Sequence, residues 1–337
     1  MNPPRQRVLI GDAGQRLQEF PEASIDMVLA SPPYFRLRDY GMTDQLGMES
    51  AISEWVVALR GVARQLRRVL TPTGSLWLNV GDSYATHPSQ GGGRKSLLLG
   101  PERLAIALLT DGWLLRNKVV WQKSNAMPTS VRDRMACTWE ALYVFVKQPN
   151  YFFELDAIRQ PHASRLSKRQ RITAAVRGRS PPEAWRGPNA GNARGLDRLK
   201  AAGRVGHPLG KNPGDVWRIA SSNYRGGHHA TFPIELARRA IRAGCPEARC
   251  QACGKPYRRP TIRHPDGTAR RGDLLASCGC RAARAPGLVL DPFIGAGTTG
   301  VAAESLGRDW LGIELNPAFA NLAEQRIQQA RASPQTA

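Results

Sequence analysis

Acidic residues are scarce in this chain: 27 Asp and Glu stand against 48 Lys and Arg among 337 residues, a formal net charge of +21. That deficit points to a polyanionic partner, because each Lys or Arg that neutralises a phosphate releases counterions. Long apolar runs are also missing. No stretch of 18 apolar residues occurs, so no membrane-spanning helix is expected. The segment "MNPPRQRVLIGDAG" lacks the apolar core of a secretory leader, which leads to an expected cytoplasmic location. Cysteine is sparse at six residues, and in that compartment the thiols should be reduced or metal-bound rather than paired. No internal repeat is visible, which argues against a solenoid or array.

What is present is a strand–helix alternation. Val8–Ile10 and Ile25–Ala30 read as strands, the second apolar apart from Asp26. Over Glu49–Leu70 the residues Ile52, Trp55, Val56, Leu59, Val62, Leu66 and Val69 recur at helical spacing. "TPTG" should end that helix, and Ser75–Asp82 should form the next strand. Leu104–Leu109 reads as helical; "WLLRNKVVW" and "ALYVFVK" read as strands. Such alternation predicts a mostly parallel sheet with helices on both faces. From about Ile158 to Asp215 the pattern fails. Basic side chains, Arg165, Lys168, Arg169, Arg171, Arg177, Arg179, Arg194 and Arg198 among them, face few acids there. This segment reads as an insertion that meets the polyanion. Regular structure resumes with the helix "FPIELARRAIRAG", and Asn316-Pro317 opens the last helix as cap and first turn.

Two loops carry the chemistry. In "VLDPFIGAGTT" a buried strand runs into Gly295-Ala296-Gly297 and then a helix start, an arrangement in which the backbone can approach a ligand closely. Glu314 follows about 20 residues on, where a carboxylate can hold both hydroxyls of a ribose. Gly295, Gly297 and Gly300 also match the dinucleotide fingerprint, and an ordinary strand-to-helix turn would use similar letters. The Asp291 carboxylate argues against a pyrophosphate and for an amino acid ammonium. A ligand with ribose, ammonium and sulfonium is S-adenosylmethionine. The second loop is Ser31-Pro32-Pro33-Tyr34, at the tip of an apolar strand. It offers carbonyls, a hydroxyl and few N–H donors. Such a tip suits a donor substrate, an exocyclic amino group on a nucleobase. Accepting both its hydrogens would return the ring-delocalised lone pair to nitrogen, ready to attack a methyl held in line. Tyr34 would stack on a base taken out of the duplex.

Together "ASPPY", "DPFIGAGTT", "GIELNP" and "HHATFP" resemble the amino-directed DNA methyltransferases that modify cytosine N4 or adenine N6. The resemblance covers residues 7–155 and 220–330, in the permuted order of the beta subgroup. It implies a seven-stranded Rossmann-like methyltransferase sheet, S-adenosylmethionine as cofactor and double-stranded DNA as substrate. By position, Ser31, Pro32, Pro33 and Tyr34 would be catalytic. Asp12, Thr231, Phe232, Pro233, Asp291, Phe293, Gly295, Gly297, Thr298, Thr299, Glu314 and Asn316 would form the cofactor site. The basic insertion would be the target-recognition region. "PYFRLRDYG" and "NKVVWQKSNAMP" resemble family segments beside the catalytic pocket. Ser at the first catalytic position is typical of the cytosine-N4 enzymes, with adenine N6 the alternative; a cognate restriction endonuclease is a possible partner. Two other classes stay open: a non-catalytic DNA-binding zinc protein on this scaffold, and a nicotinamide oxidoreductase.

Cys250-x-x-Cys253 and Cys278-x-Cys280 bracket a basic loop. Two close thiolate pairs suit a tetrahedral structural zinc ion, with Gly254 and Gly279 easing the turns. A closed four-thiolate site leaves no open position for catalysis. Cys245 is a weaker ligand candidate, and Cys137 reads as core. The resulting division is 1–157 catalytic, 158–218 insertion, 245–285 cysteine hairpin, and 219–244 with 286–332 cofactor-binding.

Overall fold

The computed structural model describes residues 5–162, 207–222, 231–264 and 268–332. Strand β1 (Arg7–Ile10), helix α1 (Ala13–Gln18) and strand β2 (Ile25–Ala30) open the chain. Helix α2 (Ile52–Val69) and strand β3 (Leu70–Val80) follow without a loop between them, then α3 (Gly100–Thr110), β4 (Leu114–Lys123) and β5 (Trp139–Val146). After β6 (Val216–Ile219) and α4 (Ile234–Gly244) come four short strands: β7 (Ala248–Cys250), β8 (Thr261–Arg263), β9 (Ala269–Arg271) and β10 (Arg284–Pro286). The chain closes with β11 (Leu288–Asp291), α5 (Thr298–Ser305), β12 (Asp309–Glu314) and α6 (Pro317–Ala332).

Among the described residues, the main sheet has eight strands in the order β1-β12-β11-β2-β3-β5-β4-β6. Strands β1, β12, β11, β2 and β3 pair in parallel, whereas β5 runs antiparallel to both its neighbours. The seven-stranded expectation is therefore one strand short. Val216–Ile219 falls at the end of the expected insertion, yet it pairs in parallel with β4 along Val120–Lys123. Its alternate residues Trp217 and Ile219 are buried, with the Trp217 ring centroid 6.1 Å from that of Trp77.

All six residues of β2 are buried, as expected of a central parallel strand covered on both faces. Asp26 is accommodated because its carboxylate accepts from the Leu288 N–H at 2.8 Å and faces Arg249 at 3.4 Å. Burial still pushes it up to about 6. Helix α2 buries Ile52, Trp55, Leu59, Val62, Leu66 and Val69, and each large apolar side chain so buried contributes about 1.5–3 kcal/mol. "TPTG" is no loop. It bulges within β3, where the register with β2 shifts between Ile25 and Met27. Helix α3 starts four residues earlier than its apolar pattern suggests, because the Asp82 carboxylate accepts from the N–H groups of Leu99 and Gly100, both at 3.0 Å.

Two units can be distinguished. The larger is Met1–Glu154, Gly214–Arg258 and Leu274–Ala337; the smaller is Leu155–Pro213 and Arg259–Asp273. The larger contains the main sheet and the β7–β10 ladder; the smaller contains the β8–β9 hairpin. Among the described residues, no helix is long and apolar enough to cross a membrane.

Candidate active site

Strands β2 and β11 are parallel neighbours, so the loops after them leave the same sheet edge. One is the Ser31–Tyr34 turn and the other is the Gly295–Gly297 loop. Residues of both line one cavity of about 420 Å³. That volume lies in the range of small-ligand sites, and the edge beyond the carboxyl ends of parallel strands is where open α/β sheets bind ligands.

The turn is braced from three sides. Trp55 on α2 donates its indole N–H to the Pro33 carbonyl at 2.9 Å. One of the carbonyls that the turn offers is therefore already engaged. A Cβ on Gly81 would lie 2.6 Å from Cε2 of Tyr34, so only glycine lets that ring lie against the end of β3. At Gly47, φ is +94° and a Cβ would come within 2.9 Å of the Tyr34 carbonyl oxygen. The Tyr34 hydroxyl donates to Glu140 Oε2 at 2.7 Å and lies 3.2 Å from Ser31 Oγ and 3.3 Å from Asn79 Oδ1. Burial, then the Glu140 carboxylate, push the phenol well above its ordinary value, so it stays protonated. Lys123 Nζ reaches Glu140 Oε1 at 2.6 Å.

The glycine loop is organised by two carboxylates. Glu314, at the end of β12, accepts from the Gly295 N–H at 2.9 Å and from the Asn316 N–H at 3.0 Å. Burial raises it above the usual carboxylate range. Gly295 and Gly297 both take positive φ, +49° and +80°, and a Cβ at Gly297 would meet the Ala323 backbone at 3.0 Å. Asp291 is 1% exposed, accepting from Thr299 Oγ1 at 2.5 Å and from the Phe293 N–H at 3.0 Å. Burial pushes it up to about 7. Both bonds tie the carboxylate to the loop and to the first turn of α5. Asp12 caps α1 through the Gln15 N–H at 2.9 Å while lining the cavity.

The cavity thus gathers Ser31, Pro32, Pro33, Tyr34, Asp12, Thr231, Phe232, Phe293, Gly295, Thr298, Glu314 and Asn316. Asp291, Gly297, Thr299 and Pro233 lie outside its lining. Asp291 and Thr299 are bonded to each other, Gly297 is packed on α6, and Pro233 is the N-cap of α4. Arg38, Tyr40, Trp121, Lys123 and Met127 also line the cavity, and all five fall in the two segments that resemble family segments beside the pocket. Glu140 belongs to no motif; its only sequence signal is a charge inside an apolar strand. Arg165, Lys168, Arg169, Arg171, Arg177, Arg179, Arg194 and Arg198 lie outside the described residues, as do His228 and His229.

Away from the cavity, the Sγ atoms of Cys250, Cys253, Cys278 and Cys280 all lie within 4.8 Å of one another. The backbone N–H groups of Cys253 and Ala252 point at the Cys250 sulfur, and Gly254 takes φ +70°. Gly279 has no positive φ; Arg281 does, at +53°. This donor set fits a tetrahedral thiophilic ion. Cys245 is not part of the cluster: it is fully buried, its thiol directed to the Pro246 carbonyl. Cys137 is exposed beside Tyr84 and Arg134, not in the core.

A mostly parallel α/β sheet thus carries the Ser-Pro-Pro-Tyr turn and the acid-braced glycine loop at adjacent strand ends, over one cavity of the size that an enzyme's small-molecule cofactor needs. The family model described as DNA methylase, that of the N6/N4 methyltransferases, matches residues 25–325. The chain belongs to that family. It is 30% identical to the type II methyltransferase M.SmaI of Serratia marcescens over 96% of this chain and 91% of that one. It is 31% identical to M.XycI of Xanthomonas campestris pv. cyanopsidis over 94% and 86%. Among solved structures, the fold is similar to the cytosine-N4-specific PvuII DNA methyltransferase, with TM-score 0.56, 18% identity and 98% and 93% coverage. It is also similar to a protein of Thermus thermophilus described as a DNA modification methylase and complexed with S-adenosyl-L-methionine, with TM-score 0.54, 24% identity and 98% and 95% coverage.

Proposed function

We propose that the chain transfers a methyl group from S-adenosylmethionine to the exocyclic N4 of a cytosine flipped out of duplex DNA. The observation that carries this reading is the shared cavity: the Ser31–Tyr34 turn and the Gly295–Glu314 pair line the same space. Glu314 would hold the ribose hydroxyls, and Asp12, Phe293 and Asn316 would surround the adenosine. Thr231 and Phe232 would close the methionine side. When bound, the cofactor supplies an electrophilic sulfonium methyl.

The chain's own residues do the rest. The Ser31 hydroxyl and the Pro32 carbonyl accept the hydrogens of the target amine, since the Pro33 carbonyl is engaged by Trp55. Tyr34 bounds the base, held upright by its hydroxyl contacts. Positioning of amine against methyl provides the bulk of the rate, as expected for a reaction between two held groups. The serine at the first position, together with the similarity to the cytosine-N4-specific PvuII enzyme, favours cytosine N4 over adenine N6. The type II relatives support a restriction–modification setting with a cognate endonuclease. The basic segment 165–198 is proposed to recognise DNA, and the four-cysteine cluster is proposed to hold a structural zinc ion.

Incubating unmethylated genomic DNA with methyl-labelled S-adenosylmethionine tests the reaction. Label should enter DNA with the native chain and fall about 10²- to 10³-fold with Ser31→Ala, while DNA affinity stays unchanged. An unlabelled duplex with the native chain would refute the proposal.

A further inference from the structure

An apolar strand has no obvious use for a charge near its start, yet β5 carries Glu140 there, opposite Trp121 of β4. Its side chain is 15% exposed and that of Lys123 is 24% exposed, and the two form an ion pair at 2.6 Å. Removing a carboxylate and an ammonium from water is costly, so the pair calls for a reason beyond stability. The reason is its connection. Lys123 occupies Oε1 of Glu140, which leaves Oε2 to accept from the Tyr34 hydroxyl at 2.7 Å. Because that hydroxyl's hydrogen is directed to Glu140, its oxygen is free to accept from Ser31 Oγ, 3.2 Å away. Asn79, whose side-chain Nδ2–H donates to the Ala141 carbonyl at 3.2 Å, flanks the phenol from β3.

We infer that Glu140 is a positioning residue that takes up the reaction's proton through Tyr34. This rests on the methyl-transfer reading above. The amine nitrogen forms a bond to the methyl carbon while the sulfur–methyl bond breaks, its electron pair remaining on sulfur as a thioether. The nitrogen is left cationic and releases one proton to Ser31 Oγ. Ser31 passes its own hydrogen to Tyr34 Oη, and Tyr34 passes its hydrogen to Glu140 Oε2. Serine and phenol end neutral, and the carboxylate ends protonated. Glu140 also lines the cavity, so its proton can return to water once the product leaves. Among the described residues, Glu140 is bonded to Lys123 from β4 and Tyr34 from the turn and, through Tyr34, to Asn79 and Ser31.

The test compares the native chain, Glu140→Gln and Glu140→Asp. Single-turnover methylation of unmethylated genomic DNA is followed across pH, and S-adenosylmethionine affinity is measured by calorimetry. Glu140→Gln should slow the single-turnover rate about 10²-fold and abolish the acid limb of its pH profile, with cofactor affinity unchanged. Glu140→Asp should restore part of the rate and the acid limb. A Gln variant within about twofold of the native rate overturns the inference. So does a slower Gln variant that keeps the native pH profile, because a merely structural role would act that way. Loss of cofactor binding in both variants also overturns it. If the native chain itself labels no DNA, the failure is of the methyl-transfer reading; if it labels DNA and the Gln variant matches it, only the role of Glu140 fails.

Discussion

The indole N–H of Trp55 is bonded to the carbonyl of Pro33 at 2.9 Å. A helix packed on the core through one face thereby holds the tip of a central strand in a fixed pose. Trp55→Phe keeps most of the apolar volume and deletes that bond. The expected stability loss is about 0.5–1.5 kcal/mol, since a part-buried hydrogen bond is lost. Denaturant midpoints check it, and single-turnover methylation should slow while cofactor affinity holds.

Gly81 is the second support of the turn. Its Cβ space is filled by the Tyr34 ring at 2.6 Å, so Gly81→Ala must displace the ring. A displacement of this size is expected to cost about 10²-fold in turnover with little change in overall secondary structure by circular dichroism. An alanine variant with native turnover would mean that the ring position does not matter.

The four thiolates predict roughly one zinc ion per chain in elemental analysis of purified protein. Cys278→Ser should lower metal content and thermal stability together, and cobalt replacement should give thiolate charge-transfer bands. Cys137→Ser and Cys245→Ser should leave the metal content unchanged, since neither residue belongs to the cluster. Metal-free protein with native stability would refute the site.

Two buried carboxyls set a pH dependence. Asp291 is pushed up to about 7 and Asp26 to about 6, in both cases chiefly by burial. Unfolded aspartates titrate near 4, so between about pH 4 and 7 the folded chain holds more protons than the unfolded one. Stability from these groups is therefore full at low pH and falls as pH rises through that window. Asp291→Asn removes one of them. Urea midpoints at pH 5, 6, 7 and 8 should decline less steeply in the variant than in the native chain; equal slopes would contradict the assignment.

The strands and helices are legible wherever burial imposes a period. β2 and α2 follow their apolar patterns closely, and the two chemistry-bearing loops announce themselves through Pro-Pro and Gly-x-Gly. What the sequence hides is set by partners distant along the chain. Val216–Ile219 looks like the tail of a basic insertion until β4 offers it an edge. Asp291 reads as a ligand for a cation, and its bond from Thr299, in the first turn of the following helix, has no signal in the sequence. Glu140 has no local signature, because its role depends on a tyrosine 106 residues away. Cys137 reads as core from its Ala and Thr neighbours, yet it sits in an exposed loop between β4 and β5.

The central claim is that the Ser31–Tyr34 turn and the Gly295–Glu314 loop hold the two reactants of one methyl transfer. The most direct measurement is base-resolved sequencing of genomic DNA from a methylation-free host expressing either the native chain or Ser31→Ala. The account predicts N4-methylcytosine at one recurring sequence context with the native chain and none with the variant. N6-methyladenine there would correct the target atom. Unmodified DNA from cells making folded native protein would contradict the account.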